Sequence, residues 1–252
     1  MKFKSVRLNE NFLNIPIAHR GLHTNTVSEN SLEAFRLAKN SKTAIEIDVY
    51  RLKDGEFAVF HDKNMKRMTG QDVSISSLSS TDLLNIRLFD NQKIPMLKEV
   101  FDLVNGEVPL LIELKPEDGF YKNDIADLLK LIDEYNHPEM IAIQTFNPLI
   151  VREVKKLTDK YPVGILSSYD LKNIKGIKNY IAKSLLLFIY IHADFVSYDI
   201  KYLPNKYVQK FKKKGVPVLA WVVDTKEKLE VSKIVADNII FEKIEILDNY
   251  GK

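Results

Sequence analysis

The chain has no cysteine, which excludes disulfides, thiolate metal sites and cysteine nucleophiles and fits a reducing compartment. A cytoplasmic location is expected. Long hydrophobic runs are missing as well. The longest, Leu185 to Ile191, falls far short of the roughly 20 residues that a bilayer-spanning helix needs, so no stable membrane insertion is expected; its spacing beside a strand is read as a buried helix face. The opening MKFKSVRLNENF has basic residues but no apolar core followed by small residues, and a secretory signal is not expected. Charge of one sign is not in excess, since 37 basic against 34 acidic residues leave +3. The densest basic run, Lys212 to Lys214, precedes Gly215, where lysine complements the C-terminal dipole of a helix, so a nucleic-acid partner is not expected. Pro-, Gly- or Ser-rich linkers, low-complexity tracts and repeats are also lacking. The 252 residues, 45% hydrophobic, are therefore read as a single domain over residues 1–252.

What is present is an alternation. Short apolar runs at Ile15–His19, Ala44–Tyr50, Leu110–Lys115, Ile141–Phe146, Val163–Ser167, Asp194–Tyr198, Val216–Val223 and Ile239–Glu242 read as strands. Helically spaced stretches at Ser31–Lys39, Leu97–Val104, Tyr121–Tyr135, Pro148–Lys160, Leu171–Tyr190, Asn205–Lys214 and Lys226–Ala236 separate them. Strands alternating with helices in one domain predict an α/β fold, a (β/α)8 TIM barrel, with an open doubly wound sheet as the alternative.

One strand breaks the pattern. Phe57 to His61 follows the second strand after a few residues centred on Asp54-Gly55, too few for a parallel crossover, so it predicts an antiparallel hairpin inserted after strand two. A two-residue turn at Asp54-Gly55 would set Asp48 opposite His61, on the face that period-two alternation also gives Glu46.

Barrel active sites sit at the carboxyl ends of the parallel strands. His19 and Arg20 end the first strand, Glu46 and Asp48 lie late in the second, and Glu113 and Lys115 end the third. Three carboxylates gathered there repel one another by about 4 kcal/mol per pair at about 4 Å and an effective dielectric near 20. Arg20 and Lys115 alone could supply the missing positive charge as a structural ion cluster. A single divalent cation answers the repulsion better, and an all-oxygen ligand set suits Mg2+ or Ca2+. Arg20 and Lys115 would then face a phosphate. Two histidines suit a phosphodiester, because one accepts a proton from the nucleophile while the other gives one to the leaving alcohol.

IAHRG at 17–21, ENSLEAF at 29–35, IEIDVYRLKDG at 45–55, VFHD at 59–62 and IELK at 112–115 resemble the glycerophosphodiester phosphodiesterase family in order and spacing. AWVVD at 220–224 and ADNIIFE at 236–242 extend the likeness across most of the chain. The resemblance implies a phosphatidylinositol-phospholipase-like TIM barrel that hydrolyses small-molecule glycerophosphodiesters to sn-glycerol 3-phosphate and an alcohol. It implies His19 and His61 as the acid/base pair, with His19 the base. Glu46, Asp48 and Glu113 become metal ligands, and Arg20 and Lys115 phosphate contacts. Phe146, in QTFNP, matches an aromatic near the family's pocket, and Trp221 is a candidate for packing on glycerol or in the core. Glu29 and Asn30 match a Glu-Asn pair beside the metal, although Asn30 with Glu33 also fits a helix capping box. Asp62 is read as stabilising the hairpin. The chain departs from the family at Phe241-Glu242, where Thr-Asp or Ser-Asp is common, and at Trp221-Val222-Val223-Asp224, where Trp-Thr-Val-Asn is common. The rival expectations are a phospholipase acting on a lysophospholipid or inositol lipid, and a phosphate-binding barrel without catalysis.

Overall fold

A computed structural model describes residues 4–115, 122–170 and 185–250. Among these residues lie nine strands: β1 (Ile17–Ala18), β2 (Ala44–Arg51), β3 (Phe57–Val59), β4 (Leu110–Leu114), β5 (Ile141–Thr145), β6 (Val163–Ser167), β7 (Phe195–Asp199), β8 (Val218–Val223) and β9 (Asn238–Phe241). Their hydrogen-bonded order is β1-β9-β8-β7-β6-β5-β4-β2, and β1 pairs back onto β2. Eight strands thus close on themselves as a (β/α)8 barrel, while β3 runs antiparallel to β2 outside the ring. The strands lie where the apolar runs predicted them, because a strand covered on both faces needs a nearly continuous apolar sequence. β1 is shorter than expected, and His19 and Arg20 fall in the turn that follows it.

The chain forms two compact units, Ala18–Ile141 and Met1–Ile17 with Ala142–Lys252. In the first, Ile45, Ile47 and Val49 alternate with Glu46 and Asp48 along β2, and all five are buried. The helix Leu32–Asn40 begins where the Ser31 hydroxyl accepts from the Ala34 N–H at 3.1 Å. Ser31, not Asn30, is therefore the N-cap, and the capping box expected from Asn30 and Glu33 does not form. Asn30 has φ 52° and sends its side chain elsewhere.

The hairpin forms with a register one residue away from the expected one. Val49 pairs with Val59 and Arg51 with Phe57, and the Phe60 N–H donates to the Asp48 carbonyl at 2.9 Å. Asp48 is thus opposite Phe60. The connection is a three-residue loop, Lys53-Asp54-Gly55, closed by the Leu52 N–H donating to Glu56 O at 2.8 Å, with Gly55 at φ +93°. A left-handed glycine ending such a loop is the alternative to the two-residue turn, and it shifts the pairing by one.

Residues 52–94 carry a second small core that the strand and helix periodicities did not reveal. Leu52, Phe60, Met65, Met68, Ile75, Leu83, Ile86, Leu88 and Ile94 pack with Tyr50 and Ala58. Its elements are helices of four residues or fewer, Lys66–Thr69 and Ser80–Leu83 among them, too short to show a period. The insertion is tied to the loop after β1: Asp90 accepts from the Ser28 N–H at 2.7 Å, and Gln92 from the Glu33 N–H at 3.3 Å.

In the second unit Asp194, before β7, is the buried anchor. It takes the Lys155 ammonium at 2.8 Å and the backbone N–H groups of Val163 and Val6, both at 2.9 Å. Of the apolar run 185–191, Leu185, Phe188 and Ile191 are buried, but Leu186, Leu187, Ile189 and Tyr190 are exposed. This corrects the expected burial: in a short helix at Phe188–Ile191 only positions three apart share the inner face. Residues 171–184 of the expected helix lie outside the described residues, as does Tyr121.

Candidate active site

Parallel pairing sets Asp48 beside Glu113 and Glu46 beside Leu111. Paired residues on neighbouring strands point to the same side, and so do residues two apart on one strand. Glu46, Asp48, Glu113 and Lys115 therefore form one patch, an outcome fixed by E-I-D on β2 and E-L-K on β4. Glu46, Asp48 and Glu113 each offer a carboxylate oxygen within 4.8 Å of the others, and they are 1%, 0% and 6% exposed.

Two cations enter the cluster. The Lys115 Nζ lies 2.6 Å from Glu113 Oε1 and 2.7 Å from Asp48 Oδ1. The Arg20 Nε lies 3.3 Å from Asp48 Oδ2, and the Arg20 backbone N–H donates to Glu46 Oε2 at 3.0 Å. Asn30 donates its amide to Asp48 Oδ2 at 2.8 Å. This geometry depends on a strained turn. Arg20 has φ 57° and Gly21 φ 80°, and a Cβ on Gly21 would stand 2.9 Å from the Ala34 backbone.

The charges are not balanced. Burial would raise the pKa of Asp48, but Lys115 and Arg20 outweigh it and hold the acid far below the usual carboxylate range. Burial pushes Glu46 well above that range, and neighbouring Asp48 and Glu113 push it further. Glu113 is raised by burial, against the pull of Lys115, to about 7. Glu46 and Glu113 are thus both pushed toward the neutral form, although Lys115 and Arg20 stand beside them. Glu46 Oε1 is moreover buried without a hydrogen-bond partner. A hard cation fits this set on both counts, since it would satisfy the orphaned oxygen and let the carboxylates ionise.

His61 reaches this cluster by a different route from the expected one. Beyond Phe60 the chain leaves the β3 ladder, so strand parity no longer applies. Burial lowers the pKa of His61, the nearby charge of Asp48 raises it, Lys115 and Arg20 lower it, and the net direction is down. Its Nδ1 lies 2.6 Å from Asp62 Oδ1. Asp62 is therefore a partner of the imidazole rather than a brace of the hairpin. His19 acts electrostatically on Asp48 as well. Glu29 takes the Arg20 Nη1 at 2.8 Å and is joined there by Arg67, a residue that motif spacing did not single out. Phe146 and Trp221 pair with each other in the second unit, edge to face with centroids 5.6 Å apart, and the Trp221 Nε1 is buried without a hydrogen-bond partner.

Residues 19–246 match the sequence profile of the glycerophosphoryl diester phosphodiesterase family. A glycerophosphodiester phosphodiesterase of Caldanaerobacter subterraneus subsp. tengcongensis is 31% identical over 92% of this chain and 96% of its own. A mouse lysophospholipase D is 26% identical over 95% of this chain and 77% of its own. Among solved structures, an Oleispira antarctica phosphodiesterase in complex with the product sn-glycerol-3-phosphate superposes with a TM-score of 0.80 at 21% identity, covering 95% of this chain and 97% of that one.

Proposed function

The chain belongs to the glycerophosphoryl diester phosphodiesterase family, and from that premise we propose that it hydrolyses glycerophosphodiesters to sn-glycerol 3-phosphate and an alcohol. One divalent cation, Mg2+ or Ca2+, would be held by Glu46, Asp48 and Glu113. The observation that carries this is the buried, undercompensated acidic triad flanked by Lys115, Arg20 and His61. When bound, such an ion polarises a phosphoryl oxygen.

The chain's own groups supply the rest. Arg20 and Lys115 hold phosphate oxygens; an ammonium has three donors, and Lys115 spends two on Glu113 and Asp48. Hydrolysis forms one P–O bond and breaks another, so the attacking hydroxyl gives up a proton and the departing alcohol takes one. His19 and His61 share these transfers. A neutral His61 with its Nδ1 proton on Asp62 presents a lone pair at Nε2. We assign it the proton-accepting role and His19 the donating one, the reverse of the order drawn from resemblance. Asn30 holds Asp48 and Glu29 holds Arg20; for Phe146 and Trp221 the family resemblance alone supports a contact with glycerol. The protein acts as one domain, in the cytoplasm; no described helix is long and apolar enough to cross a membrane.

The test is release of sn-glycerol 3-phosphate from glycerophosphocholine and glycerophosphoethanolamine, with and without EDTA. Release that EDTA abolishes and Mg2+ or Ca2+ restores is expected. Activity indifferent to EDTA, or full activity in His19→Ala, would contradict the mechanism. A second reading, hydrolysis of lysophospholipid, is favoured by the lysophospholipase D relatives and by exposed Leu186, Ile189 and Tyr190. A lysophosphatidylcholine arm separates the two.

A further inference from the structure

Arg67 lies in the inserted segment, on the short helix Lys66–Thr69, and plays no part in the chemistry described so far. Its guanidinium is nonetheless shared between two carboxylates that each hold a residue of the site. Nε donates to Asp62 Oδ2 at 2.6 Å. Nη1 and Nη2 donate to Glu29 Oε2 and Oε1 at 3.0 and 2.6 Å. On the far side of those carboxylates stand His61, with Nδ1 2.6 Å from Asp62, and Arg20, whose Nη1 donates to Glu29 at 2.8 Å. The result is one chain of contacts, His61 to Asp62 to Arg67 to Glu29 to Arg20. It joins the insertion to the loop after β1.

We infer that Arg67 is a positioning residue for the hydrolysis: by clamping Asp62 and Glu29 together it fixes the ring of His61 and the guanidinium of Arg20 relative to each other. The inference rests on the function proposed above, in which those two groups act on one phosphodiester. The physical basis is the planar fork of arginine, which meets a carboxylate with two parallel hydrogen bonds and so fixes direction as well as distance. Lysine offers charge without that fork. Asp62, held ionised against its burial by Arg67 and His61, stays an acceptor for the imidazole N–H and thereby selects the tautomer with its lone pair on Nε2. The separation of 38 residues between Glu29 and Arg67 means that the clamp exists only once the insertion has folded against the loop.

The experiment compares wild type with Arg67→Met, Arg67→Lys, Asp62→Asn and the Arg67→Met/Asp62→Asn double variant. Glycerophosphocholine is the substrate, and kcat, KM and Tm are measured for each, together with the 15N shifts of the His61 ring. Arg67→Met should lower kcat tenfold or more, raise KM severalfold through the loosened Arg20, and shift the His61 nitrogens toward a mixture of tautomers, all at saturating divalent ion and at a temperature where the variant stays folded. The double variant should have a kcat no lower than Asp62→Asn alone, because both substitutions cut one path. Arg67→Lys should recover part of kcat, and it is the readout should Arg67→Met fail to fold. A kcat within twofold of wild type in Arg67→Met with an unchanged His61 tautomer would overturn the inference, as would kcat losses that simply multiply in the double variant. Two controls separate the readings: a wild type without turnover would remove the proposed function itself and full turnover in His61→Gln the role of His61, whereas an inactive His61→Gln beside an unimpaired Arg67→Met would reject only the role of Arg67.

Discussion

Lys115 and Arg20 both lean on Asp48 and hold its pKa down, whereas burial raises those of Glu46 and Glu113. That asymmetry yields a prediction about metal removal. Glu113 is raised to about 7, so between its unfolded value of about 4.3 and that pH the folded protein holds a proton that the unfolded chain releases. Stability without metal is then fullest below the unfolded value and is lost as pH rises through about 7. In EDTA the Tm should fall between about pH 5 and 8, and added Mg2+ or Ca2+ should raise it more at the upper end, where the carboxylates are free to bind; a Tm gain independent of pH would count against the triad. His61 gives the second prediction. Its depressed pKa puts the acid limb of kcat/KM below the ordinary imidazole value of about 6.5. An acid limb centred above about 7 would deny it the accepting role. The triad residues were legible in the sequence, since polar residues two apart inside apolar strands can share only one face. Asp62 was visible but misassigned, because its partner is a ring whose direction is set beyond the end of β3.

At the scale of elements, the turn after β1 carries more of the site than its length suggests. A Cβ added to Gly21, which has φ +80°, would stand 2.9 Å from the Ala34 backbone, and the residue follows Arg20, whose N–H reaches Glu46. Gly21→Ala should therefore cost well over the roughly 1 kcal/mol typical of a glycine forced from its conformation. It should also lower kcat/KM, because the turn cannot open without moving Arg20; urea unfolding and kinetics on the soluble variant check both. The hairpin shows how a wrong register can lead to a correct neighbourhood. Parity with a two-residue turn sent His61 to Asp48; the three-residue loop reverses that parity, and the chain reverses it again by leaving the ladder after Phe60. Loop length depends on whether Gly55 takes the left-handed region, which Asp54-Gly55 permits in either turn. The helix start was misplaced by one residue for a similar reason, because Asn30 and Ser31 can each cap and only the pull of Asp48 on Asn30 decides between them.

In the whole molecule, the unit built from Met1–Ile17 and Ala142–Lys252 has its own buried ion pair, Lys155 with Asp194, both at most 1% exposed in their side chains. Lys155→Met would remove the ammonium partner of buried Asp194 and leave only neutral donors to it, a loss of about 3–5 kcal/mol. Activity per folded molecule should stay near wild type, because the triad and its cations lie in Ala18–Ile141. Urea titration combined with specific activity separates the two effects, and an unchanged midpoint would show that the backbone N–H groups of Val6 and Val163 suffice to hold Asp194. The sequence by itself determined the barrel, its family and the acidic patch, because apolar period and motif spacing are local properties that survive in a linear string. The tertiary structure alone decided the clamp of Arg67, the partner of His61 and the exposure of Ile189 and Tyr190. Those depend on where residues tens of positions apart meet, and an ion pair leaves no period in the chain that makes it.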